Sequence, residues 1–539
     1  MARRPHHLGE RLGTDHDLDV GDVIGAVDVG SNAVRLKLVR VLGDGAFEHL
    51  HQERDPVRPG EGIWDSGAMS PAVMARLVGA LSRYADVCRA YGARHVRAVA
   101  TSALREAKNR DQVITLVREA CDLDLEIITG REEARLIGLG VLRGLPAPSR
   151  SLLIDIGGGS TEIVRGEGEN PVELCSIPIG AVRLTEIFGS PEKLKREALV
   201  SMRRFAQRVV AGALPPRLKS TTSHAMGSSG TIRAVCAFAA GPGSAHATRE
   251  NLSRAVEELV SLSPTARRKR FDAQRAEVIV AGAVILESVA HHLRLDSVTA
   301  VDGGLKEGLL VDLLRRADAR SSDPLLSTAL LEVGRRFSFD EAHAMHTRDV
   351  SLALFDALTD VHHLPAESRL ILEVASVLHD VGYVVSASRH HKHSMYVISN
   401  MDLPGISERE RHLASLVARF HRRSPPSRSH PALAGLDATE RRVTRGLAAL
   451  LRIADASDQS RLQAVDSVSA VIGDGVTSLV FRPKAGRALP RWDLEGGQRA
   501  LFRSCFGTRL DVRIMRARPA KTTKVATTSQ PKPAARSKR

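Results

Sequence analysis

Two carboxylates stand at the mouths of turns built from small residues. Asp28 opens Asp-Val-Gly-Ser-Asn, ending at Asn32, and Asp155 opens Asp-Ile-Gly-Gly-Gly-Ser-Thr, ending at Thr161. β-Branched runs flank each turn, the pattern of a strand, a tight turn and a second strand. A turn of small residues lets backbone N–H groups approach a phosphate closely, because no Cβ stands in the way. One such turn is an ordinary feature. Two of them suggest two related halves closing on a phosphate-binding cleft. The alternative is a pair of plain glycine turns, with Asp28 capping its own.

A second constellation lies later in the chain. Eleven of the 21 histidines fall between His343 and His430. Among them His343, the adjacent pair His379 and Asp380, and the later Asp455 combine imidazole and carboxylate groups, which suit Mn, Fe, Zn or Mg. His390, His391, His393 or His421 could complete such a shell, and His346, one turn from His343, is expected to pack. The competing reading is a structural helical region lining a channel with His and Arg.

Both sets need elements to hold them. Between 22 and 314 short apolar runs alternate with longer amphipathic ones, the signature of an α/β region. Strands are expected at 23–27, 34–41, 96–100, 126–129, 151–156, 161–165 and 297–301, and helices at 71–91, 110–122, 132–142, 191–211 and 275–293. A Ser/Asp/Pro linker at 318–324 then leads into helical periodicity with no strands until about 467. Residues 465–512 alternate again and predict a small β-containing module.

The 539 residues exceed the size of one domain several-fold, and 43% apolar with 26% charged residues excludes wholesale disorder. No apolar run approaches the ~20 residues of a spanning helix, and five scattered cysteines form neither a disulfide framework nor a zinc knuckle. A cytoplasmic protein without membrane contact is expected. Of the net charge of +15, eight Lys/Arg and no acids lie in the tail 516–539, expected to be disordered and to touch polyanions nonspecifically. The basic clusters 267–270, 422–423 and 441–442 are either solvated helix faces or a track for a polyanion.

The segments GAVDVGSNAVRL (25–36), ATSALREAKN (100–109), ITGREEARLI (128–137), LLIDIGGGSTEIV (152–164), IPIGAVRLTE (177–186), GSSGTIRAV (227–235) and VDGGLKEGLL (301–310) occur in this order. Together they resemble the exopolyphosphatase / guanosine pentaphosphate phosphohydrolase (Ppx/GppA) family. The resemblance implies an α/β fold of two ribonuclease-H-like lobes, the actin, Hsp70 and sugar-kinase superfold. An all-helical HD-like domain and a small C-terminal α+β module would follow. The expected division is a flexible N-terminus at 1–21, lobe I at 22–145 and lobe II at 146–317, whose last helix returns to lobe I. The HD-like domain then covers 325–464, the module 465–515 and the tail 516–539.

For chemistry, the resemblance makes Glu133 the general base for the attacking water, with Glu132 pointing about 100° away on the same helix. Asp155 and Glu162, with Asp28 opposite, would hold Mg²⁺ or Mn²⁺. Gly30, Ser31, Asn32, Gly157, Gly158, Gly159, Ser160, Thr161 and Ser229 would bind phosphates, and Arg105 would clamp one. The family commonly has Arg where this chain has Lys306. The segments VLHDVG (377–382) and LLRIADASD (450–458) resemble the HD phosphohydrolases, so that His343, His379, Asp380 and Asp455 would hold a second divalent metal. The expected activity is Mg²⁺-dependent release of terminal phosphate from inorganic polyphosphate by a homodimer, with conversion of pppGpp to ppGpp as the alternative. Further alternatives are an HD-domain phosphohydrolase and a non-catalytic polyphosphate-binding regulator.

Overall fold

The hairpins expected at the two glycine runs organise two sheets of matching strand order. The computed structural model describes residues 18–515 apart from 147–148, 190–195, 219–221, 242, 318–322, 428–429, 486–488 and 490–493. The expected tail at 516–539, most of the N-terminal extension and of the linker, and the start of the helix placed at 191 lie outside the described residues.

The first sheet comprises β1 (Val23–Val29), β2 (Val34–Val41), β3 (Phe47–Asp55), β4 (His95–Ala100) and β5 (Leu125–Ile127), ordered β3-β2-β1-β4-β5. β1 is buried at every position, as a central strand covered on both faces must be. The second sheet holds β6 (Arg150–Ile156), β7 (Thr161–Glu167), β8 (Asn170–Ile177), β9 (His224–Ser228), β10 (His246–Thr248) and β11 (Ser297–Ala300), ordered β10-β11-β9-β6-β7-β8. Taken from β8, it repeats the first: an antiparallel trio, then two parallel strands, with β10 added at the edge. The expectation of two related lobes is met strand for strand.

Helices carry the chain between and over these sheets. Those that position the site are α1 (Ser102–Glu106) after β4, α2 (Gly130–Leu142) after β5, α3 (Ser229–Ala240) after β9, then α4 (Ala273–His292) and α5 (Leu305–Ala317). α2 is apolar on two faces because it lies between the sheets. Leu136 and Leu139 pack with Ile24 and Ala26, whereas Ala134, Ile137 and Leu142 pack with Leu153, Val164 and Leu174. α5 follows the last strand of the second sheet yet buries Leu309, Leu310 and Val311 in the core of the first. Gly308 permits that crossing, since a Cβ there would collide with the Leu136 carbonyl.

An ionic hub fixes α2 against its neighbours. Arg135, 1% exposed, donates to Glu132 (2.8 Å), to Asp312 on α5 (2.6 Å) and to Asp323 (2.9 Å). Glu132 also accepts the Gly405 N–H at 2.7 Å, which ties the helical region to the lobes. Burial by itself would raise the Asp312 carboxyl, but Arg135, Arg316 and Arg97 outweigh it and hold the group far below the usual carboxylate range.

Beyond the linker stand α6 (Pro324–Arg336), α7 (Glu341–Ala357), α8 (Ser368–Leu378), α9 (His390–Asn400), α10 (Glu408–Arg419) and α11 (Ala438–Ser457). α10 and α11 begin with reciprocal capping boxes, Ser407 with Glu410 and Asp437 with Glu440, each satisfying two orphan N–H groups. β12 (Val465–Gly473), β13 (Val476–Pro483), α12 (Gly496–Phe506) and β14 (Arg509–Ile514) complete the chain, with the sheet ordered β12-β13-β14. Among the described residues this terminal part has no core of its own. Leu479, Phe481, Phe502 and Leu510 belong to the same buried cluster as Leu354, Leu447 and Leu451 of the helices. Among the described residues no helix is long and apolar enough to cross a membrane. All five cysteines are free thiols.

Candidate functional site

Asp28 lies near the end of β1 and Asp155 near the end of β6, each one residue before the strand's last position. In both turns the backbone closes in the same way: the Gly30 N–H donates to Ala33 at 3.1 Å and the Gly157 N–H to Ser160 at 3.0 Å. Register then places Arg35 of β2 opposite Asp28 and Glu162 of β7 opposite Asp155. Arg35 donates to Asp28 at 2.8 Å. No such cation faces Asp155 across its hairpin, whose cross-strand partner is a second carboxylate.

The turns meet at the lobe boundary. A Cβ on Gly158 would lie 2.9 Å from that of Ser31, and one on Gly159 would strike the Ser102 hydroxyl on α1. Side chains at these two positions would therefore wedge the lobes apart. The Ser31 hydroxyl is buried there without a hydrogen-bond partner.

Thr129 caps α2, its hydroxyl oxygen accepting the Glu132 N–H at 3.2 Å, so Glu132 and Glu133 both occupy the first turn. Their fates differ. Glu132 is fully engaged by Arg135 and the Gly405 N–H. Glu133, only 7% exposed, faces the second sheet's carboxylates and accepts from both terminal nitrogens of Arg105 at 3.3 Å. Arg105 is itself held by the Ile128 carbonyl at 2.7 Å.

Burial pushes the Glu133 carboxyl up to about 7, against the pull of Arg105 and with the repulsion of Asp28 and Asp155 added. Asp155 rises to about 6, chiefly by burial, although the Ser228 hydroxyl donates to it and Arg35 draws it down. Glu162, 1% exposed, is raised well above the usual range by burial and by Glu133 and Asp155. Ser176 donates to one Glu162 oxygen at 2.8 Å, while the other is buried with no partner. Three carboxyls raised by burial, Asp155 half-buried beside the enclosed Glu133 and Glu162, with an orphaned oxygen among them, fit a hard divalent cation. Asp28 is less suited, because Arg35 already neutralises it.

The remaining expected phosphate ligands surround this cluster. Thr161 commits its hydroxyl to the Ile179 carbonyl at 2.6 Å. Ser229 opens α3 in the left-handed region at φ 83°, a strained conformation for a non-glycine residue, and accepts the Ile232 N–H at 3.2 Å. Lys306 is half-buried near Glu307, Arg35 and Asp28, and burial lowers its ammonium. Sequence reasoning missed Arg35, Ser228 and Ser176, and also Arg275, which donates to Thr231 at 2.9 Å beside the third small-residue loop. Arg35 was within reach, since it sits seven residues after Asp28 just as Glu162 follows Asp155.

In the helical region His343, His379 and Asp380 converge within ligand distance of one another. His343 Nε2 lies 3.9 Å from Asp380 and 3.4 Å from Asp455, and His379 Nε2 lies 3.5 and 3.8 Å from the same carboxylates. The opposite ring nitrogens are engaged: His343 Nδ1 with Asp458 at 2.8 Å and His379 Nδ1 with the Ser376 carbonyl at 2.7 Å. His379 Nε2 is buried without a hydrogen bond. An imidazole fixed through Nδ1, with Nε2 turned inward, is oriented as a metal ligand is.

A cavity of about 1200 Å³ separates the first lobe from the helical region, lined in part by Arg97, Arg316, Arg409 and Glu410. Arg316 pairs there with Glu410 at 2.9 Å and Arg97 with Glu126 at 3.1 Å, so these two cations are already neutralised.

Comparison with known proteins agrees with this fold. Residues 38–317 match the Ppx/GppA phosphatase family and 327–480 match domain III of Ppx/GppA phosphatases. The guanosine-5'-triphosphate,3'-diphosphate pyrophosphatase of Photobacterium profundum is 27% identical over 420 residues, covering 74% of this chain and 81% of that protein. The protein of the same name from Vibrio vulnificus is 26% identical, covering 74% and 80%. The crystal structure of an exopolyphosphatase-like protein, 24% identical, superposes with a TM-score of 0.50 over 54% of this chain and 97% of that one, a likeness of fold. The duplicated hairpins, the lobes they organise and the matched segments lead to one conclusion: this chain belongs to the Ppx/GppA phosphatase family.

Proposed function

We propose that the interlobe cleft hydrolyses the terminal phosphoanhydride bond of a phosphate chain, with inorganic polyphosphate as substrate and Glu133 as general base. The observation that carries this reading is the Glu133 carboxyl, raised to about 7 among Asp155 and Glu162 while Arg105 touches it. A base of that strength accepts a proton from water near neutral pH and is still ionised often enough to act. As water attacks the terminal phosphorus, Glu133 takes its proton, the bridging P–O bond breaks, and the shortened chain leaves with its oxygen. Arg105, at the same carboxylate, neutralises charge as it builds on the phosphoryl oxygens. Ser31, Asn32, Gly158, Gly159, Ser160 and Ser229 bring N–H and hydroxyl groups to the chain, while Gly30 and Gly157, whose own N–H groups close the turns, leave room for it to approach. Thr161 contributes its backbone, and Asp28 with Arg35 closes the lobe I side.

Asp155 and Glu162 are the residues that would hold Mg²⁺ or Mn²⁺, which supplies neutralisation of phosphate oxygens. His343, His379, Asp380 and Asp455 would hold a second divalent cation, in an HD-like setting. The curated relatives named for guanosine-5'-triphosphate,3'-diphosphate favour a second substrate reading, pppGpp. A cytoplasmic homodimer completes the proposal.

The test is phosphate release by the purified chain with Mg²⁺, comparing long-chain polyphosphate with pppGpp, and wild type with Glu133→Ala. Preference for polyphosphate and an inactive variant support the proposal. Preference for pppGpp overturns the substrate, and an active Glu133→Ala overturns the base.

A further inference from the structure

The helical region touches α2 at the turn that carries Glu133. The loop between α9 and α10 supplies two polar contacts there. Asp402 Oδ1 accepts the Thr129 hydroxyl proton at 2.8 Å, and the Gly405 N–H donates to Glu132 at 2.7 Å. Thr129 is the N-cap of α2, so its hydroxyl is used twice: the oxygen accepts the Glu132 N–H while the proton goes to Asp402. A hydroxyl whose proton is committed to a carboxylate keeps its lone pair turned to the helix and becomes the stronger acceptor. The Thr129 carbonyl in turn accepts the Glu133 N–H at 2.9 Å. Residue 129 therefore fixes the backbone of both first-turn glutamates.

The loop is itself held from the helical side. Leu403 and Ile406 belong to the same buried cluster as Ile398 of α9 and Leu413 of α10, and the Met401 carbonyl accepts from Arg411 at 3.0 Å. Gly405 sits in the left-handed region at φ 85°, and a Cβ there would come within 3.2 Å of Asp323. The other side of the turn rests on the second lobe. A Cβ on Gly130 would strike the Ser176 hydroxyl, the group that donates to Glu162. The first turn of α2 is thus wedged between a loop of the helical region and the strand that braces Glu162. Its placement decides where the Glu133 carboxylate stands relative to Asp155 and Glu162.

We propose that Asp402 is a positioning residue for the hydrolysis: it sets the N-cap of α2 through Thr129 and so holds Glu133 where it meets the attacking water. Asp402 acts through Thr129 and not on the phosphate chain itself. This rests on the reading of Glu133 as the base, and it gives the helical region a share in the chemistry of the cleft.

The test measures phosphate release by the full chain with saturating Mg²⁺, on whichever of polyphosphate and pppGpp it turns over. Asp402→Ala should lower kcat about tenfold, the scale of a small misplacement of a reacting group, and leave KM within about twofold. Asp402→Asn keeps an acceptor oxygen for Thr129 and should recover kcat. In a Thr129→Val background, with no hydroxyl to orient, Asp402→Ala should lower kcat no further. Glu410→Gln supplies the contrast, since it weakens the Arg316 contact in the same surface between lobes and helices but away from the cap, and kcat should hold. Thr129→Ser, which keeps the hydroxyl, should outpace Thr129→Val, a comparison that leaves Asp402 in place. Wild-type kcat in Asp402→Ala, a loss that persists in the Thr129→Val background or is matched by Glu410→Gln, or equal kcat in Thr129→Ser and Thr129→Val overturns the positioning role. With an inactive Glu133→Ala those outcomes leave the base standing, whereas an active Glu133→Ala overturns both.

Discussion

In the first lobe the carboxylate near the strand end faces an arginine seven residues on; in the second, the equivalent carboxylate faces a glutamate at the same spacing. The backbone of the two hairpins is alike down to the closing turn bond. The difference is one side chain's charge, and it decides what each half can do. Asp28 with Arg35 is a neutralised pair that carries its own counterion. Asp155 with Glu162 is a pair of carboxyls with no cation across the hairpin, the half-buried Asp155 raising the buried Glu162, and Glu133 from α2 adds a third. A duplicated fold thus supplies one wall that carries its own counterion and one that, in the function proposed above, a cation from outside completes.

The largest effect is expected at the third carboxylate. Glu133→Gln keeps the shape of the side chain and removes the base, so phosphate release should fall by about 10²–10⁴-fold. The folded chain should remain as stable or become slightly more so, because a buried charge is lost. Measured kcat beside a melting curve separates these outcomes, and a variant with near wild-type kcat would remove Glu133 from the chemistry.

Breaking the neutral wall should act on stability instead. Arg35→Met leaves Asp28 buried without its partner. Removal of one member of a fully buried pair costs about 3–5 kcal/mol, and the one-third exposure of Arg35 reduces this to about 1–3 kcal/mol. Denaturant midpoints would measure the loss. The double variant Asp28→Asn/Arg35→Met should recover much of it, since neither group is then left unpaired.

A smaller effect is expected in the pH profile. Because the free Glu133 carboxyl titrates near 7, kcat/KM at low divalent cation should climb as pH rises through 7 and level off above it. Saturating Mg²⁺ should move that limb to lower pH, since a nearby cation favours the ionised form. A profile flat from pH 5 to 9 would contradict the assignment.

Much of this contrast was legible in the chain. The repeated Asp-x-Gly turns announced the two hairpins, and β1, β2, β6 and β7 lie where alternating β-branched residues placed them. β3, β8, β9 and β10 escaped notice for physical reasons. β3 and β8 carry Glu, His and Gln or open on Asn and Pro, β9 has no β-branched residue, and β10 is a three-residue edge. The metal-like shell was half readable. His390 and His391 are neighbours that point about 100° apart on a helix, and periodicity alone could not choose between them. The structure turns His390 toward Asp380, while His391 lines a basic pocket with Arg389, Lys392 and Arg423. The ionic hub around Arg135 was invisible, because its partners Asp312, Asp323 and Gly405 are brought together only by the fold.

The central claim is that the second hairpin is incomplete without a cation, and thermal unfolding tests it most directly. Glu162, Asp155 and Glu133 have folded values above their unfolded ones, so the unfolded chain binds fewer protons between about pH 4.5 and 7, and stability falls as pH rises through that window. At pH 8 without divalent cation, Glu162→Gln should therefore melt above the wild type, by a few degrees for about 1 kcal/mol. Adding Mg²⁺ should raise the wild type and leave the variant nearly where it was. Equal Mg²⁺ responses in the two proteins, or a Glu162→Gln chain that melts lower without cation, would contradict the account.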